Sequence, residues 1–178
     1  MAQLVLDLLQ KKFPDAVEEV SSAHGNETAY IKREAITDVA LYLRDSEDLL
    51  FDMPIDCTAL DWLNKKTPRF EVVYHLYSTT LKHRVRLKVR LDEEVVEMAS
   101  VTPVWPGMNW HERETWDMYG VVFKGHPNLK RVLLYEEFEG FPLRKDYPVE
   151  GRQPLIEMRP TVTVPTEKEI TPEMLNRP

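Results

Sequence analysis

Residues 71–91 read EVVYHLYSTTLKHRVRLKVRL, and their periodicity decides the fold class. From Glu71 to Thr79 the side chains alternate, with Val72, Tyr74 and Leu76 on one side and Val73, His75 and Tyr77 on the other. From Leu81 to Leu91 the alternation sharpens: Leu81, Val85, Leu87, Val89 and Leu91 take the odd positions, and Lys82, Arg84, Arg86, Lys88 and Arg90 the even ones. A repeat of two is the signature of a strand with one buried face and one solvated face. The two runs are adjacent, so they read as an antiparallel hairpin whose second strand displays a ladder of cations. That ladder reads either as a solvated face balanced by Glu71, Glu93 and Glu94 or as a surface for an acidic neighbour.

Working outward, Val17–Ser22 and Thr28–Ile31 read as two more strands joined by a turn at His24-Gly25-Asn26. A strand at about Leu49–Leu60 is interrupted at Pro54, which places it at a sheet edge or gives it a bulge. Val95–Val101 reads as a further strand. Helical spacing appears at Leu4, Val5, Leu6, Leu8 and Leu9, ending near Pro14, and again over residues 34–44 through Ile36, Val39, Ala40 and Leu43. Strands in runs with helices to one side predict an α+β fold, a two-layer domain of helices packed on a largely antiparallel or mixed sheet. The expected division is a domain over 1–150 and an extended proline-rich C-terminal arm over 151–178. Seven of the 13 prolines follow Gly140, a density that sustains neither helix nor central strand.

The chain has 178 residues, 43 % of them hydrophobic, and a formal net charge of −7. That balance argues against sequence-independent nucleic-acid binding, which depends on neutralising phosphates. No apolar run approaches the roughly 20 residues of a membrane span, and the N-terminus has no basic stretch before its apolar residues, so no direct membrane span or secretory signal is expected. The single cysteine, Cys57, excludes an internal disulfide and a Cys-ligated cluster or structural zinc within this chain. The five histidines lack helical metal-site spacing; only His75 and His83, across the hairpin, are candidates to approach one another.

The segment with most chemistry is Glu112-Arg113-Glu114-Thr115-Trp116-Asp117-Met118-Tyr119-Gly120. Asn109 reads as an N-cap with Glu112 reaching back to its N–H, and Gly120 as a left-handed stop. Arg113 and Asp117 are spaced as an i,i+4 pair, and Glu112, Trp116 and Tyr119 share a face. Three readings stand: an ordinary capped helix with aromatic core residues, an acid–base site, or a helix clamped between its own sheet and a partner. The carboxylates diverge around the axis with no nucleophile or metal ligand beside them, which disfavours the second. Charges on several faces interleaved with aromatics suit the third.

These nine residues resemble the signature of the C subunit, or 30-kDa subunit, family of proton-pumping NADH:quinone oxidoreductase (respiratory complex I). The run His126-Pro127-Asn128-Leu129-Lys130-Arg131 resembles the family's next turn. The run Gly140-Phe141-Pro142-Leu143-Arg144-Lys145-Asp146-Tyr147-Pro148 resembles its Pro-Leu-Arg-Lys-Asp-aromatic-Pro segment. The likeness covers most of residues 27–150, and the length suits a stand-alone C subunit.

The resemblance implies a non-catalytic structural subunit of the peripheral arm, which positions the D subunit and the quinone-reducing module and is held peripherally on the cytoplasmic side of the membrane. It implies no cofactor in this chain, with FMN, iron–sulfur clusters and quinone in partner subunits, and the D subunit and iron–sulfur subunits as neighbours. Trp116, Tyr119 and Gly120 are then internal scaffold. Glu112, Arg113, Glu114, Asp117, Arg144, Lys145 and Asp146 are intersubunit polar contacts, and the proline-flanked 142–148 element wraps onto the D subunit with the tail. The alternative is the equivalent piece of a related membrane-bound hydrogenase or another quinone- or ferredoxin-linked complex.

Overall fold

The 71–91 hairpin lies at the centre of the molecule. In the computed structural model, which describes residues 2–155, the order of elements is α1 (Ala2–Lys12), β1 (Val17–Ala23), β2 (Asn26–Ile31), a 3-10 turn (Arg33–Ala35), α2 (Ile36–Asp45), β3 (Met53–Asp61), β4 (Phe70–Tyr77), β5 (Arg84–Leu91), β6 (Glu97–Ala99), α3 (Met108–Tyr119) and β7 (Val122–Lys124). Five strands form one sheet in the order β1-β2-β5-β4-β3. All its pairs are antiparallel except β2–β5, where Thr28, Ala29 and Tyr30 align in parallel with Arg86, Leu87 and Lys88. The sheet is thus mixed and the fold α+β, as the periodicity predicts. Residues 151–155 form neither helix nor strand, and the rest of the predicted arm lies outside the described residues.

Register explains the two faces. Phe70, Val72, Tyr74 and Leu76 of β4 oppose Leu91, Val89, Leu87 and Val85 of β5, and all eight are buried. Val5, Leu6 and Leu9 of α1, Ile36, Val39, Ala40 and Leu43 of α2 and Met108 of α3 join them in one core cluster. Each Val, Leu, Ile, Phe or Met among them contributes roughly 1.5–3 kcal/mol when fully buried. The other face carries Glu71, Val73, His75 and Tyr77 against Arg90, Lys88, Arg86 and Arg84. Lys88 pairs with Glu71 at 3.0 Å, as expected, but Arg90 pairs with Glu19 at 2.5 Å and Glu18 at 3.6 Å. Glu93 pairs with Arg69 instead of the ladder.

The β1–β2 turn takes positive φ at His24 (55°) and Gly25 (74°), the tight hairpin geometry whose twist matches the strands. β3 is an edge strand with a register shift between Pro54 and Asp56, so both expectations for that proline hold. Three expectations are corrected, the first being that β3 starts at Met53 and not near Leu49. The strand expected over Val95–Val101 is only Glu97–Ala99, and it leaves the main sheet to pair in parallel with β7, a strand that the periodicity does not predict. β5 starts at Arg84, because residues 78–83 fold into a turn in which the Ser78 N–H donates to the His83 carbonyl at 3.0 Å. His83 is buried there, stacked on Phe51 at 4.7 Å, while His75 opposes Arg86 on the other face.

Candidate docking site around the charged helix

α3 begins one residue before the expected cap. Trp105 is fixed by its indole N–H donating to the Phe51 carbonyl at 2.9 Å, and the Met108 N–H then closes onto the Trp105 carbonyl at 2.9 Å. Asn109 therefore lies inside the helix, whose N-cap is Gly107 with no side-chain bond. Glu112 does not reach back to Asn109; it turns inward and is fully buried. Its Oε1 accepts the Val101 N–H at 2.8 Å and the Tyr74 hydroxyl at 3.2 Å, and its Oε2 accepts the Ser100 hydroxyl at 2.5 Å. All three donors are neutral. Burial therefore dominates and raises the carboxyl to about 7, against the opposing pull of Ser100, Val101 and Tyr74. One turn on, the Thr115 hydroxyl lies 2.8 Å from the Cys57 carbonyl of the edge strand β3. Side chains of α3 thus fasten it to both β4 and β3.

The expected Arg113–Asp117 pair does not form. Arg113 donates to the carbonyls of Lys130 and Arg131, each at 3.0 Å, and stacks on Trp110. Asp117 is fully buried, and its Oδ2 accepts three successive backbone N–H groups, from Val132, Leu133 and Leu134, at 2.9–3.0 Å. Its Oδ1 takes Arg131 at 2.7 Å. Burial raises this carboxyl, but those donors outweigh burial and hold it below the ordinary range. Arg131 also donates to the Phe138 and Gly140 carbonyls at 2.7 and 3.2 Å. One carboxylate and one guanidinium thus shape a segment that has no helix or strand of its own. Just upstream, His126 accepts the Asn128 N–H and bonds the Asn109 carbonyl, ordering the turn at exposed Pro127.

The stop at Gly120 holds: φ is 76° and its N–H closes onto the Trp116 carbonyl at 2.8 Å. It also serves packing, since a Cβ there would lie 2.5 Å from the Phe141 ring and 2.7 Å from Arg144. Trp116 and Tyr119 are half-buried against the core. Within the 142–148 element, the Leu143 N–H donates to the Met118 carbonyl, and Arg144 to the Tyr119 carbonyl at 2.6 Å. The Lys145 N–H meets Asp61 at 2.8 Å, and Asp146 meets Arg69 at 3.0 Å. Tyr147 stacks on Phe138, with Gln153 bonded to its hydroxyl, and the Pro148 carbonyl accepts the Gly151 N–H. Pro142 leads into this run, half-buried.

The anchor for that run is Asp61–Arg69, which sequence reasoning missed. Two parallel bonds of 2.9 and 2.8 Å join them, both side chains being almost wholly buried. Burial raises Asp61, but Arg69 and the N–H groups of Lys145 and Leu63 reverse it, to about 2. Neither residue stands in a motif, and only their shared position at the ends of paired strands brings them together.

On this geometry the comparisons with known proteins bear directly. The sequence model described as "Respiratory-chain NADH dehydrogenase, 30 Kd subunit" matches residues 29–153. The chain belongs to the 30-kDa subunit family of respiratory-chain NADH dehydrogenase. The C subunit of NADH-quinone oxidoreductase from Roseiflexus sp. (strain RS-1) is 46 % identical over 145 residues, covering 82 % of this chain and 83 % of that protein. The C 2 subunit of the same enzyme from Rhizobium meliloti (strain 1021) is 48 % identical over 139 residues, covering 78 % and 75 %. Among solved structures, a trypsin-resistant fragment of Nqo5 superposes with a TM-score of 0.61 at 28 % identity, covering 72 % of this chain and all of the fragment. A chain of the membrane-bound sulfane sulfur reductase, an archaeal respiratory membrane complex, shares the fold with a TM-score of 0.68 at 23 % identity, over 83 % of this chain and 86 % of that one. In this member of the 30-kDa family, no helix among the described residues is long and apolar enough to cross a membrane.

Proposed function

We propose that this chain is a non-catalytic structural subunit of the peripheral arm of proton-translocating NADH:quinone oxidoreductase. It positions the D subunit and through it the quinone-reducing module, on the cytoplasmic side of the membrane. FMN, iron–sulfur clusters and quinone belong to partner subunits, and electrons do not pass through this chain. The observation that carries the reading is the direction of the signature carboxylates. Glu112 points into the sheet layer and Asp117 into the 131–134 segment, so the two act as separate fasteners and do not converge on one substrate. What they fasten is a surface. Trp110, 62 % exposed, is backed by Arg113, and Leu133 at 61 % and the half-exposed Leu143 lie in segments hydrogen-bonded to α3. Exposed Trp beside Arg is the composition of an interface anchor. Arg144 and Asp146 hold the 142–148 element in place from within, which leaves the exposed Lys145 and Glu114 side chains for the D subunit.

The test is affinity purification of the tagged chain from its native membranes, with identification of co-eluting subunits. A D-type subunit, iron–sulfur subunits and a flavoprotein NADH module are expected. Elution as a lone monomer would refute the assembly role, and a nickel–iron hydrogenase large subunit in place of the NADH module would redirect it to the related complexes.

A further inference from the structure

Glu112 is sealed in the core, yet a chain of hydroxyls leads away from it. Its Oε1 accepts the Val101 N–H and the Tyr74 hydroxyl, at 2.8 and 3.2 Å, so a proton on this carboxyl belongs on Oε2. Oε2 meets the Ser100 hydroxyl at 2.5 Å, and the Ser100 and Thr102 hydroxyls lie 2.7 Å apart. The Thr102 N–H donates to Ser100 Oγ at 3.1 Å and fixes the pair. Exposure rises outward along the chain, from 0 % at Glu112 to 4 % at Ser100 and 7 % at Thr102. Thr102 lines a surface hollow of about 280 Å³ with Pro103, Pro106, Asn109, Gly125 and Pro127. His126 stands between two of those residues, but one ring nitrogen accepts the Asn128 N–H and the other bonds the Asn109 carbonyl. From the sheet, Tyr74 on β4 and Cys57 on β3 are the titratable groups that face Glu112, and burial raises both, so they stay neutral near pH 7. No charged side chain among the described residues moves Glu112; burial raises it to about 7, and both its charge states are populated near neutral pH.

A hydroxyl can turn from donor to acceptor, which a backbone N–H cannot. With Glu112 ionised, Thr102 donates to Ser100 and Ser100 donates to Oε2. With Glu112 protonated, Oε2 donates to Ser100 Oγ and Ser100 donates to Thr102. Ser100 Oγ accepts the Thr102 N–H in both states, so neither leaves a buried group of the chain unpaired. We propose that Ser100 and Thr102 form a two-hydroxyl proton relay joining the buried Glu112 carboxyl to solvent at the hollow beside Thr102. On release, the Oε2 proton passes to Ser100 Oγ, the Ser100 proton to Thr102 Oγ1 and the Thr102 proton to solvent; uptake runs the same path backward. The seat of α3 thereby changes charge with the fold closed. This role goes beyond the fastening of α3 and does not rest on the assembly proposed above.

A rapid jump from pH 5 to pH 8 on the full-length chain, followed by the infrared band of the protonated carboxyl, tests the relay. The Glu112 band is the one that Glu112→Gln removes. Thr102→Val, which deletes the hydroxyl, is expected to slow loss of this band about tenfold or more, and Thr102→Ser to restore the parent rate. Hydrogen exchange at the Val101 N–H, which bonds the same carboxyl, is expected to be equal in parent and Val variant, showing that the loop has kept its closure. In the parent, the rate is expected to be independent of urea below the unfolding transition, because a relay exposes no new surface. Release that speeds up with urea marks opening of the loop and overturns the relay, as does Thr102→Val releasing at the parent rate. Absence of a Glu112-dependent band at pH 5 also overturns it. If the Val variant does not fold, the urea dependence of the parent decides alone.

Discussion

Replacing Glu112 by Gln should change the pH dependence of stability more than the fold. The amide keeps an acceptor for the Val101 N–H and Tyr74 hydroxyl, and Ser100 can receive its N–H in place of donating. In the parent chain, burial moves this carboxyl from its ordinary 4.5 to about 7. Across that window the folded chain keeps a proton that the unfolded chain has released, so stability falls as pH rises from about 4.5 through about 7. At about 1.4 kcal/mol per pH unit, the fall is about 3 kcal/mol for a group with no solvent exposure. Depressed His75 and His126 act in the opposite sense, adding stability as pH rises toward the ordinary histidine value of 6.5. They are shared by both proteins and cancel in the difference. Urea unfolding at pH 5 and pH 8, followed by tryptophan fluorescence, should show parent and variant diverging by about 3 kcal/mol between the two conditions. Parallel pH profiles would refute the picture of a charge held without a counter-ion.

Asp117→Ala strands three N–H groups and Arg131, and should cost about 3 kcal/mol or more in urea unfolding while speeding trypsin cleavage after Lys130 and Arg131. Loss below about 1 kcal/mol with unchanged cleavage would contradict the fastening role. Gly120→Ala forces a Cβ against Phe141 at a left-handed position and should destabilise by more than about 2 kcal/mol, read as a lower midpoint. Trp116→Ala should cost less than the roughly 3–5 kcal/mol of a fully buried aromatic, because the ring is half-buried beside Arg131. A larger loss would mean that the ring carries more of the core than its exposure implies.

The sheet was legible because a repeat of two leaves little choice of face: Val85, Leu87, Val89 and Leu91 had to be inside if Arg84 to Arg90 were to reach solvent. The parallel β2–β5 pairing was not, since strand order depends on which edges meet after collapse, and the sequence of each strand suits either neighbour. The 95–101 stretch has strand composition, yet only three of its residues form a strand, and that strand pairs with β7 outside the main sheet. At the site, the spacing Asn109–Glu112 has the form of a capping box, yet the Ser100–Thr102 loop buries donors that need a carboxylate more than a helix end in solvent does. Asp117 failed the i,i+4 expectation for the same reason: three N–H groups and a guanidinium 14–17 residues away outcompete Arg113. Local rules found the helix, and the demands of distant buried backbone decided where its charges point.

The parallel join between β2 and β5 also has a kinetic meaning. The sheet consists of a hairpin, β1–β2, and a meander, β3–β4–β5, aligned along a join of only three residue pairs. The partners Thr28 and Arg86 are far apart in the chain, so the join cannot close until β5 has been synthesised, and its loop-closure entropy is lost late. The meander can form from local pairing before then, leaving α1 and the first hairpin to dock onto it as a unit. Amides at the Thr28–Tyr30 join should therefore exchange with solvent sooner than those between β4 and β5, marking the line along which the domain first comes apart.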